Sequence, residues 1–224
     1  MPPVARPFPR FITDSPQEGR PYGRWEERLA DSFVGACGDI ASEVGTQVDT
    51  ESLRWYPDRT WGGRTHVPVV GRGSGEVDGV VPEFFGHVSF ARISDGEPGE
   101  LTPFVDFTDV TAEENGDWQV DLNDDVIGTW NADGGRGGDV TLIWGTPLVR
   151  GAIAATAELE GEVVDQTAVN DGRFTLIAVD AVTGFGDDIY LDVKLWDRRL
   201  REIASESLYA DEGEDDEAER PSNS

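Results

Sequence analysis

Several residue types are scarce in this sequence, and each scarcity closes a class of explanation. Cys37 is the single cysteine among 224 residues, so no intramolecular disulfide can form and no cysteine zinc cluster is indicated. Lys194 is the single lysine, so nearly all positive charge is arginine. His66 and His87 are the only histidines and therefore the only imidazoles able to titrate near neutrality. No apolar run approaches the length of a bilayer span. The N-terminus carries Pro2, Pro3, Arg6, Pro7 and Pro9 and lacks the apolar core of a secretory signal, so a cytoplasmic protein is expected. No internal repeat of a solenoid or propeller is present.

Acid is what the chain has in excess. Against 18 Lys and Arg stand 45 Asp and Glu, a formal net charge of -27, and every compact conformation works against that repulsion. Nucleic acids and anionic membranes are polyanions recognised by neutralising phosphate with Lys and Arg, so neither is expected as a partner. Near molar salt, screening shortens to a few ångströms, and such a surface becomes tolerable and stays soluble. The loss of lysine, whose long exposed stem suits brine poorly, agrees with halophilic adaptation; GC-rich coding, which also favours arginine, and acidic mimicry of nucleic acid are the competing explanations.

With 27 glycines, 13 prolines and 38% apolar residues, the chain reads as turn-rich β structure able to bury one sizeable core or two small ones. Residues 1–23 form a proline-rich arm in which Arg6, Arg10 and Arg20 alternate with Phe8, Phe11, Ile12 and Tyr22. A mainly β domain is expected over 24–210, and 211–224 is an acidic tail with nothing to bury. Within 24–44, Trp25, Leu29, Phe33, Cys37, Ile40 and Val44 recur at helical spacing, which predicts an amphipathic helix covering one sheet face and ended by Gly45. Gly35 and Gly38 inside it suggest close packing against a neighbour.

Strand-like runs follow at 53–56, 65–70, 84–93, 103–107, 118–122, 126–130, 140–144, 162–169, 173–182 and 188–196. The turn Asn170-Asp171-Gly172 predicts a tight hairpin. For 200–209, a helix stripe competes with a strand, and the turn-like Asp197-Arg198-Arg199 favours the strand. The expected architecture is an antiparallel sandwich or partly open barrel.

Chemistry is sparsely marked. His66 and His87 lack the spacing of a single-element metal motif and can meet only across strands. Asp121, Asn123 and Asp125 alternate like the first ligands of a calcium loop, but Val126 stands where that loop needs glycine and Ala132 where it needs glutamate. The stretch 121–139 is therefore read first as a flexible hairpin loop and only second as a divalent-cation site. The glycine cluster at 71–75 lacks the Lys and Ser or Thr of a phosphate loop. No Gly-x-Ser-x-Gly elbow or Cys-His pair is found, and no cofactor is expected. Trp55, Tyr56 and Trp61, together with Phe8, Arg10 and Phe11, are the aromatic and arginine residues that binding hot spots favour.

These observations predict an interaction or assembly component with a protein partner or a second copy of itself. The alternative is a small-ligand or metal-dependent enzyme with a His and carboxylate site assembled across strands. The charge itself makes a prediction. The melting temperature should rise from dilute buffer to molar KCl as screening relieves repulsion; a flat or falling value across that range would remove the halophilic reading.

Overall fold

The computed structural model describes residues 25–91, 98–131, 137–159, 161–179 and 191–208. The arm and the acidic tail lie outside these residues, as do 188–190 at the start of one expected strand.

The anticipated helix forms as α1, Glu26–Val44. Glu26 and Glu27 occupy its first turn, where the helix dipole favours acids. Gly45 closes it in the left-handed region, φ 86°, donating its N–H to Ala41 O. Leu29, Phe33, Cys37, Ala41 and Val44 are the buried stripe. Gly35 and Gly38 do not mark close packing, since a Cβ at either would meet nothing within 4 Å.

The remaining described elements are strands in three antiparallel sheets. The first comprises β1 (Arg54–Trp55), β2 (Arg59–Trp61), β3 (Arg64–Arg72), β4 (Glu83–Ala91) and β5 (Thr102–Thr108), in the order β1-β3-β4-β5 with β2 also on β3. The second orders β6 (Val120–Asn131), β7 (Gly137–Pro147) and β10 (Phe174–Val179) as β10-β7-β6. The third joins β8 (Ala154–Leu159), β9 (Glu162–Ala168), β11 (Leu191–Trp196) and β12 (Glu202–Leu208) as β12-β11-β8-β9. None of them closes into a barrel. Among the described residues no helix is long and apolar enough to cross a membrane.

The period-two alternation of strands sorts side chains into three cores. Val67 and Val69 of β3 and Phe84, Val88 and Phe90 of β4 meet Leu29 and Phe33 of α1 on one face of the first sheet. Val70 joins Val140, Leu142 and Trp144 of β7 and Ile177 of β10, with Phe85 packed against them, between the first and second sheets. Ile143, Phe174, Leu176 and Ala178 turn the other way, toward Leu191, Val193 and Leu195 of the third sheet. Each buried Val, Leu, Ile or Phe contributes about 1.5–3 kcal/mol.

Three local expectations are corrected. Residues 120–122 and 126–130 of two expected runs belong to one strand, β6, which begins at Val120 and carries a bulge between Val126 and Gly128. The acids at 121–125 are therefore in a ladder, not in a hairpin loop. The turn at 170–172 does form, with Asp171 and Gly172 at φ 48° and 73°. Its flanking strands nevertheless separate into different sheets after the single Asn170–Arg173 bridge. Asp165 Oδ2 of β9 accepts the Ile177 N–H at 2.8 Å, a side chain standing in for a ladder bond. Finally, β8 was not anticipated. Its alanines carry little β propensity, yet Ala155 and Ala157 are buried in the core of the third sheet. Residues 202–208 form the favoured strand, after a turn in which Leu200 N–H bonds Asp197 O.

Gly86 fixes how closely β4 and β5 approach, because a Cβ there would lie 2.1 Å from Phe104 O. Gly86→Ala should lower unfolding free energy by about 3 kcal/mol in a denaturant titration. A loss within experimental error would show that the two strands are not held at this spacing.

Candidate functional site

The interface between the first two sheets is not uniformly apolar. In β6, Asp121, Asn123 and Asp125 pair with Thr146, Trp144 and Leu142 of β7. They share the face that Trp144 and Leu142 turn toward the first sheet. Asp121 and Asn123 are buried. Across from them, β4 carries Glu83, Phe85 and His87 on alternate positions, and β3 carries His66.

The two histidines meet. Register pairs His66 with Ser89 and Pro68 with His87, making the imidazoles diagonal neighbours. Their ring centroids lie 5.0 Å apart, tilted by 53°. His87 Nδ1 is 3.4 Å from Asp125 Oδ2, and its ring stacks on Phe104 at 5.7 Å. Sequence spacing could not show this juxtaposition, which depends on register and on how two sheets stack.

Burial decides the protonation of these groups. It pushes His87 down to about 3, aided by His66 and Arg64, and His66 down to about 4, aided by Arg64. Both imidazoles are neutral at pH 7, so the His87 contact with Asp125 is not an ion pair there. Neither Nδ1 has a hydrogen-bond partner. Burial works in the opposite direction on the acids. It raises Asp125 to about 6, with Asp124 and Asp106 adding to the shift. Glu83 rises to about 7, through burial and then Asp121, although Arg54 holds it at 2.9 Å. Asp121 is also raised, by burial against the opposing pull of Arg54.

His66, His87, Asp121, Asn123 and Asp125, the residues considered for a cation, thus converge on one interface. They do not form a ligand shell: among the described residues no group of three or more His, Cys, Asp or Glu is arranged to hold a metal ion. Alternate strand residues stand roughly 6.6 Å apart, whereas a calcium loop curls its alternate oxygens around one centre.

The seam opens at its edge. Among the described strands, β5 and β6 are outer strands of their sheets, and between them lies a cleft of about 480 Å³. Phe104, Trp118 and Val126 form apolar walls, and Asp106, Asp124 and Asp125 supply carboxylates. Asn123 also lines the cleft; its Nδ2 is buried and has no hydrogen-bond partner. A second cleft, of about 400 Å³, is lined by Arg54, Arg72 and Glu113, and Glu83 and Asp121 line both.

The other residues considered for binding fall elsewhere. Trp55 and Tyr56 are core residues, and the Tyr56 hydroxyl pairs with Thr146 at 3.0 Å. Trp61 is half-buried against the core between the first two sheets. Phe8, Arg10 and Phe11 lie outside the described residues. Glu83, Phe104 and Asp106 were missed, although Phe104-Val105-Asp106-Phe107 holds a usable signal. In a strand, Val105 and Phe107 take one face, which leaves Phe104 and Asp106 together on the other.

Comparison with protein-family models gives no match, and comparison with curated proteins and with solved structures gives none either.

The acid shifts have a measurable sign. The folded state holds the Glu83 proton more tightly than the unfolded chain does. Its contribution to stability is therefore full below the ordinary value of 4.5 and is lost as pH rises through about 7. The depressed histidines act oppositely, contributing above 6.5 and losing it as pH falls toward 4 and 3. Glu83→Gln should therefore lose less melting temperature than the native protein between pH 5 and pH 8. Identical pH profiles would contradict the burial of this carboxyl.

Proposed function

We propose that this protein is a non-enzymatic interaction component, and that the cleft between β5 and β6 receives a cationic, partly apolar portion of a partner. The observation that carries the reading is the composition of the cleft: Asp106, Asp124 and Asp125 beside the half-exposed Phe104 and Trp118. Carboxylates select positive charge, and aromatic walls give contact area that persists when salt screens charge attraction. In the high-salt cytoplasm we propose for this chain, an acidic groove without apolar walls would bind weakly.

A specific observation favours a second reading, a small-ligand or metal-dependent enzyme, because His66, His87 and Asp125 do come together. Several features weigh against it. Imidazoles depressed to about 4 and about 3 are weak bases at neutrality, where general catalysis works best near the operating pH. Neither imidazole lines the cleft. Burial pushes the Cys37 thiol up to about 12, which leaves it a poor nucleophile.

Isothermal titration of the full chain in 1 M KCl with spermidine, with the blocked tripeptide Arg-Phe-Arg and with its Lys-Phe-Lys counterpart tests the proposal. At least one probe should bind saturably at one per chain. The double substitution Phe104→Ala with Asp106→Asn should weaken that binding at least tenfold, while His66→Gln leaves it unchanged. Absence of binding by all three probes, or binding indifferent to the cleft substitutions, would overturn the assignment. Loss through His66→Gln alone, in a variant that remains folded, would favour the enzyme.

A further inference from the structure

The second cleft, of about 400 Å³, carries a different chemistry from the first. Strand alternation brings its walls together. Val70 faces the second sheet, and Arg72, two residues on, takes the same side of β3. Arg54 stands opposite Val70 and Glu83 opposite Arg72, so all three project toward the second sheet. From that sheet Asp121 and Thr146, paired in the ladder of β6 and β7, face back, and the Thr146 hydroxyl meets Tyr56 of the first sheet at 3.0 Å.

The polar groups of this cleft leave two opposite demands open. Asp121 is only 8% exposed and lines the cleft, yet its carboxyl makes no hydrogen bond or ion pair among the described residues. It asks for a donor. Arg54 and Arg72 each spend one terminal nitrogen, Nη2, on an acid, Glu83 and Glu113 respectively, which leaves other donors of each five-donor fork open. The Arg72 bridge to Glu113 is 45% exposed on one side and 69% on the other, so it contributes little and yields to a better-placed anion. A simple anion would suit the arginines and crowd Asp121, and a simple cation would do the reverse. A zwitterion meets both demands. Val81 and the exposed Leu148 add apolar wall beside these charges.

We infer that this cleft binds a free amino acid with an apolar side chain. Its ammonium donates to the Asp121 carboxylate, its carboxylate accepts from Arg72, and its side chain lies along Val81 and Leu148. The site is separate from the cleft between β5 and β6 and does not rest on the binding reading above.

The probe is L-leucine, titrated calorimetrically into the full chain in 1 M KCl. Beside it run its two half-ligands, 4-methylpentanoate, which lacks the ammonium, and 3-methylbutylamine, which lacks the carboxylate. L-leucine should saturate at one per chain and bind at least tenfold more tightly than either half. Asp121→Asn should weaken it at least tenfold and erase its advantage over 4-methylpentanoate. Arg72→Gln, a change at a half-exposed side chain, should weaken it at least fivefold and erase most of its advantage over 3-methylbutylamine. If Asp121→Asn fails to fold, the Asp121 carboxyl carbon of the native protein should shift with L-leucine and stay still with 4-methylpentanoate. Phe104→Ala with Asp106→Asn, which alters only the first cleft, should leave L-leucine binding unchanged. Absence of L-leucine binding, half-ligands that bind as tightly, or binding indifferent to Asp121→Asn and Arg72→Gln would overturn the inference. Loss of L-leucine through the Phe104 and Asp106 pair would overturn it too, by placing the ligand in the first cleft. The spermidine and tripeptide titrations report on that first cleft, so either assignment can fail alone.

Discussion

A row of acids and two imidazoles is held between the stacked first and second sheets, where burial constrains their charge. Removing a carboxylate from water without a partner costs several kcal/mol, and proteins escape that cost by pairing the charge or by neutralising it. Here pairing is limited: Arg54 reaches Glu83, while Asp125 faces a histidine that burial keeps neutral. Partial neutralisation adds to it: burial lets Glu83 hold its proton up to about 7 and Asp125 up to about 6, so Asp125 is mainly a carboxylate at neutral pH. A chain with net charge -27 has added reason to do so, since each proton retained removes one charge from the total repulsion.

The surrounding layers sustain this arrangement. The helix and its apolar face cover one side of the first sheet, and the third sheet covers the far side of the second. Among the described residues, the seam opens to water at the cleft between β5 and β6. The single lysine is used in a comparable economy of positive charge. Lys194 Nζ reaches Glu158 Oε2 at 2.7 Å, and Thr156 joins that carboxylate to Trp196 through its hydroxyl. Glu158 is buried, so the scarce ammonium sits where an unpaired charge would cost most.

Much of the fold was legible because its signals are local. Short stretches such as Leu29 to Phe33 to Cys37 carry helical spacing in themselves, and Leu191, Val193 and Leu195 carry strand alternation. What escaped was set by distant partners. The Ala-rich β8 forms because β9 and β11 pair on its two sides, despite low propensity. Asp121 to Asp125 resemble a loop until β7 supplies their ladder. The turn at Asp171-Gly172 was visible, but the departure of β10 to another sheet was not. The candidate site was harder still. His66 and His87 were singled out for their rarity, yet their contact depends on strand register, and the approach of Asp125 depends on sheet stacking. Asn123 is a possible cation ligand by sequence; the burial of its amide nitrogen without a hydrogen-bond partner exists only in the folded chain.

The carboxyl groups of Glu83 and Asp125 lie buried in the seam beside the cleft. The most direct test is a carbon-13 NMR titration of the side-chain carboxyls of the native protein in strong KCl. Midpoints of about 7 for Glu83 and about 6 for Asp125 are expected. Midpoints near 4 for both residues would place them in water and contradict the seam.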